Sequence, residues 1–146
     1  MRLETLAVHA GGEPDAGTGA VAPPIHLATT FQHGPAGERV AGYEYLREGN
    51  PTQDRLEAVL AALEGGEAAL ALASGMAAMS ALLESLPAGS DVLIPDDCYT
   101  GLRVLFAEFL PQRNISAIPV DMSDLPAVSA AITARTKLIW AETPSN

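Results

Sequence analysis

The 146 residues are 48% hydrophobic, enough for a packed core and too apolar for a disordered tail. Eight Lys and Arg against eighteen Asp and Glu leave a net charge of −10, a surface that repels nucleic acid and anionic membranes. Any anionic ligand must then be held by a local device, such as a helix N-terminus or a placed arginine. The single cysteine, Cys98, excludes an internal disulfide and a metal site built on cysteines. MRLETLAVHAGG lacks the apolar stretch of a secretory signal, and no uncharged apolar run reaches membrane-spanning length. The expected compartment is the reducing cytoplasm, with no membrane or nucleic-acid partner.

Residues 1–42 are rich in Gly, Pro and Thr, with breakers at Pro14-Asp15, Gly17-Thr18-Gly19 and Pro23-Pro24. They read as an extended arm with brief turns, which needs the main body or a neighbouring subunit to lie on. His9, His26 and His33 fall in it, at spacings that match no metal motif, so no metal is expected. Asn50 and Pro51 then signal a helix start, Leu56, Val59, Leu60 and Leu63 mark its apolar face, and Gly65-Gly66 ends it. Tyr45 and Arg47 stand in the loop just before that helix.

Ala68–Ala73 is short, apolar and uncharged, the pattern of a strand buried on both faces. Ser74 is a good N-cap, and a helix follows with Met76, Met79, Leu82, Leu83 and Leu86 as its core stripe. The free N–H groups at its start make an anion site, with phosphate the obvious guest. Alone, Ser74-Gly75 is only a cap; the other elements give it weight. Pro87-Ala88-Gly89 stops the helix. Asp91–Pro95 is a buried strand, Asp96–Thr100 a turn, and Gly101–Leu110 a helix with Leu102, Leu105, Phe106 and Phe109 on one side. Ile115–Val120 is a strand, Leu125–Ala134 a helix and Lys137–Glu142 a strand.

Alternating strands and helices predict an α/β fold, a mostly parallel sheet with helices on its faces. Ligands collect beyond the carboxyl ends of such strands. Those ends carry Ser74-Gly75-Met76, Cys98-Tyr99 and Glu142 to Asn146.

Five stretches also resemble, in order, the Cys/Met-metabolism enzymes that use pyridoxal 5'-phosphate (PLP): TLAVHAG at 5–11, APPIHLATTF at 22–31, YLREGNPT at 45–52, ASGMAA at 73–78 and ETPSN at 142–146. That family includes cystathionine γ-synthases, cystathionine lyases, methionine γ-lyases and O-acyl-homoserine sulfhydrylases. The resemblance implies part of the large domain of the fold type I, aspartate aminotransferase-like PLP transferases. Residues 1–50 would be an arm wrapping a neighbouring subunit, and 51–146 the first half of the PLP-binding domain. It also implies roles. Tyr45 and Arg47 reach the cofactor phosphate across a dimer, and Gly75 and Met76 give it backbone N–H groups. Tyr99 stacks on the ring and assists proton transfer. Glu142 and Asn146 lie near the cofactor, Asn146 by its ring hydroxyl. Leu46 departs from the small polar residue usual between Tyr and Arg.

The implied activity is β- or γ-elimination or γ-replacement on cysteine, cystathionine, methionine or O-acyl-homoserine, in a homotetramer built as a dimer of active dimers. The family's Schiff-base lysine lies downstream of these motifs. Lys137, the one lysine, opens a strand at the end opposite the ligand edge and is not expected to replace it. The expectation is therefore an N-terminal fragment, inactive alone. A truncated, non-catalytic paralogue that pairs with a full-length enzyme is the alternative. An aminotransferase of the same broad fold fits the Y-x-R-x-x-N-P-T and S-G-M pairing less well. Cys98 reads as a small buried hydrophobe rather than a nucleophile, having no adjacent His or Lys.

Overall fold

The structure, a computed structural model, describes residues 2–144, and the chain divides into two units, Met1–Ala71 and Leu72–Asn146. In the first unit the arm is not wholly extended. LETLAVH forms a short helix, α1 (Leu3–His9), closed by the Ala10 N–H donating to the Leu6 carbonyl at 2.8 Å. Breaker-rich surroundings hid it, although its own residues are mostly good helix formers. The chain then turns at Gly11, whose φ of 98° disfavours a side chain; a Cβ there would also lie 2.6 Å from Val59 Cγ2.

Helix α2 (Pro51–Glu64) begins and ends where its sequence signals stand. Asn50 Oδ1 accepts from the Thr52 N–H at 2.8 Å, Pro51 occupies the first turn, and Gly65 closes the helix in the left-handed region at φ 66°. The cap also anchors the arm: the His26 N–H donates to Thr52 Oγ1 at 2.9 Å, and Asn50 Nδ2 donates to the His26 carbonyl at 3.3 Å. These bonds explain why Asn50 is buried. Of the expected apolar face of α2, Val59 and Leu63 are half-buried, while Leu56 and Leu60 are exposed. Val21, Ile25, Leu27 and Val40 of the arm are exposed too.

Ala68–Ala73 departs from expectation, for it forms no strand. An apolar run becomes a strand only when a neighbouring edge takes its backbone groups. Here the Ala71 N–H donates instead to Glu57 Oε1 at 2.8 Å, and Leu70 is 81% exposed.

The second unit is built on a parallel three-stranded sheet in the order β2-β1-β3: β1 (Asp91–Pro95), β2 (Ser116–Val120) and β3 (Thr136–Ile139). Central β1 is buried on both faces, Val92 and Leu93 at 0% exposure. Pro119 fits in β2 because one side of that strand has no partner among the described residues. The ladder of β3 ends at Ile139, though the Trp140 N–H still donates to the Leu93 carbonyl at 2.8 Å.

Helix α3 (Gly75–Glu84) contributes Leu83, fully buried, with Met79 and Leu86 packed on the core; Leu82 of the expected stripe is exposed. The expected helix 101–110 changes pitch twice. It runs as α4 (Thr100–Val104), a π-helical turn (Leu105–Phe109) and a 3-10 turn (Leu110–Arg113). The wide turn moves the inward position one residue on, from Phe109 to Leu110. Phe109 is 58% exposed and Leu110 3%. Leu102, Phe106 and Ile115 complete the core. Helix α5 (Leu125–Ala131) is capped by Asp124, whose Oδ1 accepts from the Ala127 N–H at 3.1 Å, and it ends three residues before expectation as Ile132 turns extended. Among the described residues no helix is long and apolar enough to cross a membrane.

Candidate functional site

In the second unit Tyr99 and Glu142 stand at the carboxyl ends of β1 and β3, and the start of α3, which follows no strand, lies beside Tyr99. Ser74 caps α3, its Oγ accepting from the Ala77 N–H at 3.1 Å while its carbonyl accepts from the Ala78 N–H at 3.1 Å. The N–H groups of Gly75 and Met76 then have no acceptor among the described residues. Nothing outside its own helix and chain neighbours lies within 4 Å of where a Gly75 Cβ would stand, so this turn is open above. An open first turn of a ten-residue helix, with two free donors, suits a phosphate.

Tyr99 lies in the loop after β1, 40% exposed. A Cβ placed on Gly101 would meet Tyr99 Cε1 and would stand 2.6 Å from Met76 Sδ. The Tyr99 ring and the start of α3 are therefore neighbours, and glycine at 101 leaves the room they share. The loop is pinned from several sides. The Cys98 N–H donates to the Pro95 carbonyl at 3.3 Å, and the Arg103 guanidinium donates to the Asp96 carbonyl. Cys98 is buried and forms no disulfide. The Tyr99 N–H donates to Glu142 Oε2 at 3.0 Å, joining the ends of β1 and β3. Asn146 lies outside the described residues.

Lys137 stands at the start of β3, exposed, its Nζ donating to the Ala134 carbonyl at 3.0 Å. Since β1 and β3 are parallel, that is the sheet edge away from Tyr99 and Glu142, as the sequence implies. Arg135 pairs with Asp91 at 3.0 Å on the same far edge.

In the first unit, Tyr45 and Arg47 occupy the loop before α2. The Arg47 Cζ lies 4.2 Å from the Tyr45 ring centroid, and Arg47 makes no salt bridge among the described residues. The loop is bonded to the arm by the Leu46 N–H donating to the Thr29 carbonyl at 2.8 Å and the Phe31 N–H to the Glu44 carbonyl at 3.0 Å. The Tyr43 phenol donates to Asp54 Oδ2 at 2.6 Å, and that carboxylate, with burial, raises its pKa. Leu46, between the two proposed phosphate ligands, is exposed.

Sequence reasoning missed Gly101, Trp140 and Tyr43. Gly101 carries no signal beyond its type. Trp140, whose indole N–H donates to Glu142 Oε1 at 3.0 Å, could have been flagged, since a partly buried indole seeks an acceptor. Among the described residues no group of three or more His, Cys, Asp or Glu is placed to hold a metal ion.

A family model described as Cys/Met metabolism PLP-dependent enzyme matches residues 4–146. Cystathionine gamma-synthase of Mycobacterium leprae (strain TN) is 50% identical over 145 residues, 99% of this chain and 37% of that protein. Cystathionine gamma-lyase of Homo sapiens is 43% identical over 147 residues, 100% of this chain and 36% of that protein. Among solved structures, metB from Corynebacterium glutamicum superposes with a TM-score of 0.92 at 40% identity, covering 100% of this chain and 38% of that one. Cystathionine gamma-lyase from Lactobacillus plantarum, complexed with L-serine, gives 0.88 at 41%, covering 99% and 38%. The chain thus spans little more than a third of the length of these relatives.

Proposed function

Because this chain belongs to the Cys/Met metabolism PLP-dependent enzyme family, we propose that it supplies the phosphate-binding and ring-stacking part of a transsulfuration-type enzyme. The reaction class is β- or γ-elimination, or γ-replacement, on a sulfur-containing or O-acylated amino acid. The observation that carries this reading is the pair of free N–H groups at Gly75 and Met76, opening beside the Tyr99 ring at one sheet edge.

PLP supplies an electron sink for the carbanion left when the substrate loses its Cα proton. The chain's own groups bind and orient it. Gly75 and Met76 donate backbone N–H bonds to the phosphate, helped by the positive end of the α3 dipole. Arg47 offers a planar fork to the same group, and Tyr45 a phenol. The Tyr99 ring stacks on the cofactor ring and fixes its plane, while its hydroxyl moves protons at the reacting carbons. Asn146 lies near the cofactor, and Glu142 stands behind Tyr99 at the same edge.

Assembly is part of the proposal. The open apolar groups of the arm and α2 favour a homo-oligomer of two-subunit active sites, with residues 1–50 on a neighbour and Tyr45 and Arg47 reaching its cofactor. A homotetramer follows if two such dimers pair. A single buried thiol suits a cytoplasmic enzyme.

Titration with PLP, followed by visible absorbance, tests the binding role. Saturable uptake that is lost when the Gly75–Met76 turn is altered supports it; no uptake by any form of the protein carrying this chain overturns it. Product analysis with cystathionine, and with O-acyl-homoserine in the presence of cysteine, then separates elimination, which releases a keto acid, ammonia and the leaving group, from replacement, in which the cysteine thiol displaces the acyl carboxylate and leaves a new thioether.

A further inference from the structure

Both oxygens of the Glu142 carboxylate are already engaged. Oε2 accepts from the Tyr99 backbone N–H and Oε1 from the Trp140 indole Nε1–H, each at 3.0 Å. Trp140 is itself tied to the central strand by its N–H bond to the Leu93 carbonyl at 2.8 Å. The carboxylate is thus a strut between two strand ends, with Trp140 fixed to β1 and Tyr99 fixed to Trp140. N–H bonds to an ionised carboxylate are stronger than neutral ones.

We propose that Glu142 is a positioning residue for Tyr99, and that it contacts the protein rather than the cofactor. It sets where the phenol ring stands before any ligand arrives. The inference rests on Tyr99 being the ring-stacking residue of the proposed function. Electrostatics agree with it. A carboxylate with free oxygens at this edge would repel a cofactor carrying a phosphate, whereas one that accepts from two N–H donors is partly neutralised. The remaining contacts of the loop leave Glu142 as the tie from β3. Pro95 and Asp96 hold Cys98 and Arg103 on the β1 side, and the Asp96 N–H ties the start of the loop to the Val120 carbonyl of β2 at 3.2 Å.

Trp140 is the only tryptophan in these 146 residues, so the emission of this chain reports the strut without any cofactor. Glu142→Ala should shift that emission and speed hydrogen exchange at the Tyr99 amide by about tenfold or more, the loss of a charge-assisted bond. Glu142→Gln, which keeps one acceptor oxygen, should fall between, and it serves if the alanine variant does not fold. In PLP titrations, Glu142→Ala combined with Tyr99→Ala should bind no more weakly than Tyr99→Ala alone. Unchanged Tyr99 exchange in both Glu142 variants overturns the proposal. So does a double variant that loses the product of the two single effects, for Glu142 then touches the cofactor independently. If the unmutated protein takes up no PLP, the functional reading falls, while the exchange and emission measurements still decide the role of Glu142.

Discussion

The Arg47 guanidinium lies over the Tyr45 ring, its Cζ 4.2 Å from the centroid. The two residues flank a turn in which the Tyr45 carbonyl accepts from the Glu48 and Gly49 N–H groups, at 2.9 and 3.2 Å. The Asn50 cap follows at once, so this turn is built directly onto the start of α2. Stacking pre-orders a long cation and leaves its N–H groups free for an anion.

Arg47→Ala should therefore weaken PLP binding by about 10- to 100-fold, the size expected for lost charge-assisted bonds. Binding of pyridoxal, which has no phosphate, should change by no more than about twofold. Arg47→Lys should recover part of the loss, because an ammonium keeps the charge but not the fork. Parallel titrations with the two ligands make the comparison. An equal loss for both would detach Arg47 from the phosphate.

Gly101→Ala should leave the fold standing and disturb the site. The added methyl group meets the Tyr99 ring at Cε1 and Cδ1, so the ring must turn, and also Met76 Sδ, the flexible end of its side chain. The helix gains up to about 1 kcal/mol in propensity, which offsets the crowding. The expected outcome is a thermal midpoint close to the parent's with PLP affinity reduced about tenfold or more, since stacking is lost. A large drop in midpoint would instead place Tyr99 in a rigid wall.

The π-helical turn makes neighbouring residues unequal. Leu110→Ala should cost roughly 2–5 kcal/mol, the range for a buried leucine, while Phe109→Ala should cost under about 1 kcal/mol. Denaturant unfolding of the two variants checks this. The reverse order would mean that α-helical pitch persists through Phe109.

Acid should loosen the segment after α2. Glu57 has its pKa lowered by the Ala71 N–H bond first and then by Gln53, against desolvation. Its contribution is present above the unfolded carboxylate value, roughly 4.3, and is lost as pH falls through the depressed folded value. The protection of the Ala71 amide, its exchange rate compared with the intrinsic rate at the same pH, should therefore fall on acidification over that window, and Glu57→Gln should abolish that change in protection. An Ala71 amide indifferent to both changes would show that the carboxylate does not hold it.

Local signals were legible wherever the physics is local. Asn50, Ser74 and Asp124 cap helices through bonds within three residues of themselves, so the starts of α2, α3 and α5 could be read directly. The strand core of Val92–Ile94 and the parallel direction of the strands followed from apolar runs and crossover rules. Tyr99 and Glu142 follow strands whose apolar runs were legible, and Gly75 and Met76 follow a legible helix cap. The tertiary structure decided what depends on partners far along the chain. Ala68–Ala73 has a strand's composition but meets a Glu57 carboxylate in place of a ladder. Phe109 and Leu110 exchange places because packing widened one helical turn. Glu142 reaches Tyr99 across 43 residues, a closure that no local propensity encodes and that only the pairing of β3 with β1 brings within hydrogen-bond range.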